Sequence, residues 1–455
     1  MKLKKSMLVV PMSIMLLMPT AALAEDHGDH SGSAESGMEM GTATPAAELR
    51  ITLDTALTEH AFLAVEAMRK GVDGAEDFDQ ASAALMANSD DIAAAVSSVY
   101  GEENGAAFLE IWNSHIGYFV DYVTATAEGN QEGIDQALAD LEEYKMEQAA
   151  FFATATEDRL PAAALEEGLQ MHIDMLLAAF DAYAAGDFET AYMQEREAIM
   201  HMGGFAEQLS VAIADQFPDQ FENTNPDTPA VDLRAQLNYV FTEHAGLAAM
   251  AMQDGADGAE SFDQAAAALN ANADDLSAAV ASVYGEDAGA QFSEIWNSHI
   301  GYFVDYVVAT GEGDTEGQEA AKAELDGYIV EQAAFLDTAT EGRVPAADLE
   351  AGLTAHVEQL LTAFDSYVAG DYQTAYSSIR EAWAHMTMPA AGLSAAITDQ
   401  FPDQFGGEMP GMPETGMGGM AAEENGFPIG YLMALLFVMI GGSAIAVRKY
   451  ASDKQ

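Results

Sequence analysis

Residues Ile111-Trp112-Asn113-Ser114-His115-Ile116-Gly117-Tyr118-Phe119-Val120-Asp121-Tyr122-Val123 return unchanged at Ile295 to Val307, 184 positions later. The same offset carries Glu59-His60 onto Glu243-His244. It also carries the run from Gln216 to Phe221 onto Gln400 to Phe405. Residues 48–221 and 232–405 therefore align without a gap, and a period this long marks a duplicated domain rather than a short solenoid unit. Within the repeated stretch Trp112, His115 and Phe119 recur at three-to-four spacing, the period of a helix face.

The rest of each module reads the same way. Alanine is abundant, and Val and Ile form no period-two runs. Turn signals at Gly71 to Gly74, Gly101, Glu128-Gly129-Asn130, Pro161 and Ala185-Gly186-Asp187 predict helices near 47–70, 78–99, 103–127, 131–154, 161–184 and 187–214, with Pro218 closing the module. Short connections between long helices imply antiparallel neighbours. The expected fold is all-α: two tandem antiparallel helical bundles of about six helices each, module 1 over 47–222 and module 2 over 231–405. Residues 223–230, with Pro226 and Pro229, read as the linker.

Both ends read as addresses. Lys2, Lys4 and Lys5, an apolar stretch from Met7 to Met18 and Ala22-Leu23-Ala24 predict a secretory signal over 1–24. Residues 25–46 read as a flexible segment, with His27, His30, Met38 and Met40. Residues 406–428 read as a Gly/Pro/Met-rich spacer, 429–447 as a transmembrane helix of about one bilayer thickness, and 448–455 as a cytoplasmic tail opened by Arg448 and Lys449. Within the spacer, Met412-Pro413-Glu414-Thr415-Gly416 followed by an apolar span and basic residues resembles the LPxTG sorting signal of Gram-positive surface proteins, with Met412 in place of Leu. The resemblance implies that a sortase cuts between Thr415 and Gly416 and joins the chain to peptidoglycan, with Pro413 part of the recognised motif. The expected location is extracellular, at the cell wall.

Composition narrows the partners. The chain has 455 residues, 75 acidic and 16 basic, for a net charge of −59. Three of the acids and six of the bases lie outside residues 25–415, so that span carries −62. Such a surface repels phosphate and excludes nucleic acid as a natural partner. It fits a saline habitat or the capture of cations at the wall. The absence of cysteine excludes disulfides, thiolate metal sites and cysteine nucleophiles.

The chemistry available is histidine. Eight of the ten His form four pairs at the 184 offset: His60/His244, His115/His299, His172/His356 and His201/His385. Each lies on an apolar stripe: Leu53-Leu57-His60, Phe108-Trp112-His115-Phe119, Leu165-Leu169-His172-Leu176, and, more weakly, Ala198-His201-Phe205. A buried imidazole without partners costs about 1–3 kcal/mol. Four in one bundle are expected to satisfy each other, nearby polar groups or a shared ligand. The functional reading is a shared metal ion, with all eight as candidate ligands, and the competing reading is four separate core histidines, each bonded to a local Tyr, Ser or carboxylate. Glu59, Asp121, Glu243 and Asp305 are candidate acceptors behind them. Met171, Met200 and Met202 beside two of these His favour copper over zinc, and haem held between two facing His is the alternative.

No hydrolase, phosphate-loop or dinucleotide signature occurs, so the reading favours a binder over an enzyme. The modules also resemble helical repeats of secreted Bacillus-like proteins, some carrying a copper-amine-oxidase label. The Asn-Tyr-Asp/Glu cofactor sequence of those enzymes is missing, because Asn238-Tyr239 is followed by Val240. A structural or adhesive stalk without a ligand is the competing role.

Overall fold

The computed structural model describes residues 41–405. The segments read as signal peptide, as sorting motif and as the 429–447 transmembrane helix fall outside the described residues. Among the described residues every regular element is a helix, and none is long and apolar enough to cross a membrane. Module 1 comprises α1 (Pro45–Asp73), α2 (Phe78–Tyr100), α3 (Glu102–Glu128), α4 (Gln131–Ala155), α5 (Ala162–Ala184) and α6 (Phe188–Gln216). Module 2 repeats them as α7 (Pro229–Asp257), α8 (Phe262–Tyr284), α9 (Glu286–Glu312), α10 (Thr315–Ala339) and α11 (Ala346–Val368). Its last helix is split into α12 (Tyr372–His385) and α13 (Thr387–Gln400), and a single turn, α14 (Pro402–Phe405), follows.

Local chemistry sets these boundaries. Thr44 accepts from the Ala47 N–H with Pro45 in the first turn, and Thr228 with Pro229 does the same for α7. Gly74 and Gly129 close α1 and α3 in the left-handed conformation that a side chain would strain. The split in module 2 has a single cause. Pro389 stands where module 1 has Phe205, and its ring opposes the carbonyl of His385 one turn back, so the helix breaks at Met386.

The linker and the end of the expected flexible segment are both held. Thr224 Oγ1 accepts from Ala46 N at 3.1 Å, and Thr42 and Thr44 are buried. The two modules pack as one compact unit about a pseudo-two-fold axis, instead of standing apart on a tether. Asp54 and Asn238 are the same position of the repeat, and they meet on that axis, Asn238 Nδ2 donating to Asp54 Oδ2 at 2.6 Å. Either side of it the contacts come in exchanged pairs. Arg50 bonds Pro226 O and Asp232, and Arg234 bonds Thr42 O and Glu48. The central helices α1 and α7 are thereby covered on every side, and Glu59 to Lys70 are buried without interruption.

Further along the interface the symmetry is broken. Phe62 stacks on Trp383 at 5.1 Å, where the equivalent positions hold Gly246 and Ile199. A Cβ on Gly246 would come within 2.7 Å of the Trp383 ring, so glycine is required there. Arg69 pairs with Asp254 at 2.6 Å and Lys70 with Asp77 at 3.1 Å. Glu195 is fully buried with neither carboxyl oxygen partnered, and burial pushes it well above the carboxylate range, so it is a neutral acid. Its equivalent in module 2 is Ile379, which fits an apolar setting.

Asp54 gives the interface a pH dependence. Burial pushes its carboxyl up to about 6, against the opposing pull of Asn238 and Arg50. A folded-state pKa above the unfolded 3.8 means the native protein takes up the proton first as pH falls through 6. Wild type therefore carries a penalty above pH 6 that is relieved between pH 6 and 4. Asp54→Asn keeps an acceptor for Asn238 and removes the charge. It should raise stability by about 1–3 kcal/mol at pH 8, with the gain vanishing toward pH 4. Urea unfolding at both pH values measures this, and a gain that does not depend on pH would contradict it.

Candidate metal centre

Three helices of each module bring one imidazole apiece to a common point. In module 1, α1 supplies His60, α3 supplies His115 and α5 supplies His172. In module 2, α7, α9 and α11 supply His244, His299 and His356. All six are buried, and one ring nitrogen from each member of a triplet lies within 4.8 Å of the others. His60 Nε2 and His115 Nε2 are 3.2 Å apart, and their counterparts 3.3 Å. Two nitrogens bound about 2.0–2.1 Å from a tetrahedral ion stand about 3.3 Å apart, so both pairs already have ligand spacing.

The protons on these rings follow from their neighbours. His115 Nδ1 faces the Trp112 carbonyl oxygen, which only accepts, so Nδ1 carries the hydrogen and Nε2 keeps its lone pair. On the other side, Asn88 Nδ2 donates to Ala56 O at 2.9 Å and to Glu59 Oε2 at 2.7 Å. Its amide orientation is thus set, and Oδ1 is left as a buried acceptor without a partner. Asn88 neighbours the His60 ring, whose Nδ1 is also buried without a partner. His60 Nε2 stands 3.2 Å from the His115 Nε2 lone pair, a distance that either its own hydrogen or a shared metal ion can bridge.

Burial keeps an additional proton off these rings at neutral pH. Burial lowers His60 well below the imidazole range, with His115 and His172 acting in the same direction and only Asn88 opposing. Burial lowers His115 to about 4 against the Trp112 carbonyl. His172 is lowered well below the usual range, again chiefly by burial, and both of its nitrogens are buried without a partner. Module 2 repeats each of these features at His244, His299 and His356.

The fourth pair stands aside. His201 and His385 are half-buried, and their Nε2 atoms lie 2.9 and 3.0 Å from the carbonyl oxygens of Gly168 and Gly352. One nitrogen of each ring is therefore already engaged, and neither ring belongs to a triplet, a correction to the eight-ligand expectation. The Ala198-His201-Phe205 stripe was the weakest of the four in sequence, and it turns His201 toward α5 rather than inward. The expected carboxylates also differ. Asp121 and Asp305 are exposed. Glu59 and Glu243 are buried but engage Asn88 and Asn272 rather than an imidazole. Met171 is 43% exposed, so its thioether faces away from the buried ligands. Haem has no slot: the Trp112 and Tyr144 rings lie 4.7 and 4.6 Å from the His60 and His115 rings themselves, and 3.2 Å between nitrogens leaves no width for a porphyrin.

Sequence reasoning missed Asn88 and Gln148 with their counterparts Asn272 and Gln332. All four are fully buried, and neither amide atom of either Gln has a partner. A signal was present: Leu85-Asn88-Ile92 and Leu141-Tyr144-Gln148-Phe152 are apolar stripes interrupted by one amide that recurs at the 184 offset. Tyr144 stacks on His115 and Phe152 lies against Phe108, so the antiparallel register of α3 and α4 sets Gln148 level with Trp112. The Trp112 Nε1 is itself buried without a partner.

The chain matches no family model, and no curated protein or solved structure matches it.

The orphaned nitrogens give a stability test. In the metal-free protein His172→Leu removes two unsatisfied polar atoms from an apolar stripe. It should leave stability unchanged or raise it by about 1–3 kcal/mol. A histidine whose role is structural would instead cost stability on removal. Thermal unfolding in the presence of a chelator separates the two.

Proposed function

We propose that the protein is a metal-binding surface protein in which each module holds one transition-metal ion through a buried three-histidine centre. The observation that carries this reading is His172 with His356: fully buried imidazoles, both nitrogens unpartnered, each set against a pair of rings already at ligand spacing. Imidazole suits copper, zinc, iron and nickel. The donor set is neutral, and Glu59, the buried carboxylate that precedes His60 on α1, is committed to Arg380 and Asn88. A buried charge without an anionic ligand is costly, so a monovalent ion is favoured over a divalent one. Copper(I) is the ion that meets this condition, whereas zinc would need hydroxide or another anion in a fourth position. An exterior this acidic concentrates cations at the protein surface. The sorting-type motif supports display at the cell wall through Thr415, and changing Pro413 and Thr415 together should release the protein from the wall fraction.

Residues 41–405, purified and loaded with copper(I) under reducing conditions, should bind two ions per chain. His172→Ala and His356→Ala should each lower this to one, and the double variant to none. His201→Ala should leave two. Loss of one ion in His201→Ala would contradict the triplet assignment, and a wild-type chain that binds no metal would leave the stalk reading. Competition with zinc in the same protein decides the preference between the two metals.

A further inference from the structure

Each histidine triplet is supported from behind by the other module. Arg380, on α12 of module 2, makes a two-pronged ion pair with Glu59 of module 1, Nε to Oε1 at 3.0 Å and Nη2 to Oε2 at 2.9 Å. Its Nη2 also reaches Asp91 at 2.7 Å. Glu59, which precedes His60 on α1, accepts from Asn88, the buried amide that neighbours the His60 ring. The reverse path is equally complete. Arg196, on α6 of module 1, pairs with Glu243 of module 2 at 3.0 and 2.8 Å and with Asp275 at 2.7 Å. Glu243 accepts from Asn272 at 2.8 Å, beside His244. The two-pronged pair fixes the Glu59 carboxylate, and the carboxylate holds the Asn88 NH₂ beside the His60 ring. The stretch of α1 that carries His60 is thereby clamped from the opposite module.

We infer that the two centres are cross-wired: Arg380 is a positioning residue for the His60-His115-His172 centre of module 1, and Arg196 for the His244-His299-His356 centre of module 2. The inference rests on the three-histidine reading. The two-module unit, and not the single module, is then the binding unit. A shift of α12 against α1 loosens a metal ion held in the opposite module, which gives the two sites a physical route of communication.

The crossed pattern makes the test specific, since a general structural defect in α12 would damage the centre of its own module. Affinity is measured in two backgrounds that each keep one live centre: His356→Ala retains that of module 1, and His172→Ala that of module 2. Copper(I) is titrated against a chelating competitor. Arg380→Met keeps the apolar stem and removes the fork. It should weaken binding about 10–100-fold in the His356→Ala background and leave the His172→Ala background unchanged. Arg196→Met should do the reverse. Arg380→Lys restores charge without the fork and should fall between wild type and Arg380→Met. In the metal-free protein, ¹⁵N shifts of the His60 ring should report one dominant tautomer in wild type and a mixture of the two in Arg380→Met. Equal loss in both backgrounds, loss only in the arginine's own module, or no loss would each overturn the cross-wiring while two ions still bind wild type. A wild-type chain that binds no metal overturns the centre itself.

Discussion

Asp54 and Asn238 occupy the same place in the two halves of the chain, and they touch. A translated repeat cannot do this, whereas a rotation about an axis through that contact must. Everything that distinguishes this molecule from two beads on a string follows from that rotation. It buries α1 and α7 against each other and exchanges Arg50 with Arg234 across the interface. It also delivers Arg380 and Arg196 to carboxylates of the opposite module. One histidine of each triplet, His60 and His244, lies on these two central helices, so the geometry of the triplets is tied to the geometry of module pairing.

The histidines behave as a preformed cage rather than as core residues with local partners. Six rings are neutral because burial makes charging them costly. His115 and His299 are aimed because the carbonyls of Trp112 and Trp296 decide which nitrogen keeps its hydrogen. Leaving His172 and His356 wholly unpartnered inside a packed bundle works against folding and is retained in both modules. Structures keep such local conflicts where function demands them.

The all-helical fold was legible because its signals are local. Turn residues and three-to-four stripes placed every helix of module 1 within three residues of its observed ends. The same stripes placed His60, His115 and His172 inward. The interface was not legible, because its determinants are single residues far apart in sequence whose meaning appears only after the rotation. Arg380 reads as one more charge on a polar face until α12 is set against α1. His201 was misread for a related reason, since its partner is a backbone carbonyl, and a carbonyl leaves no trace in residue identity. Pro389 was visible in the sequence, but helix boundaries were read in module 1, where the equivalent position is Phe205 and nothing breaks the last helix.

An isologous interface inside one chain carries a statement about ancestry. A single module bearing position 54 on its surface could once have met a second copy of itself across the same axis, and a gene fusion would preserve that arrangement with only a linker to add. The present halves have since diverged past return. Two copies of module 1 would set Lys70, in place of Asp254, opposite Arg69 in a buried site, and two copies of module 2 would leave Asp254 facing Gln253 with no arginine to meet it. Each half has become an obligate complement of the other, so recombination can shuffle the pair between genomes but cannot shuffle its members.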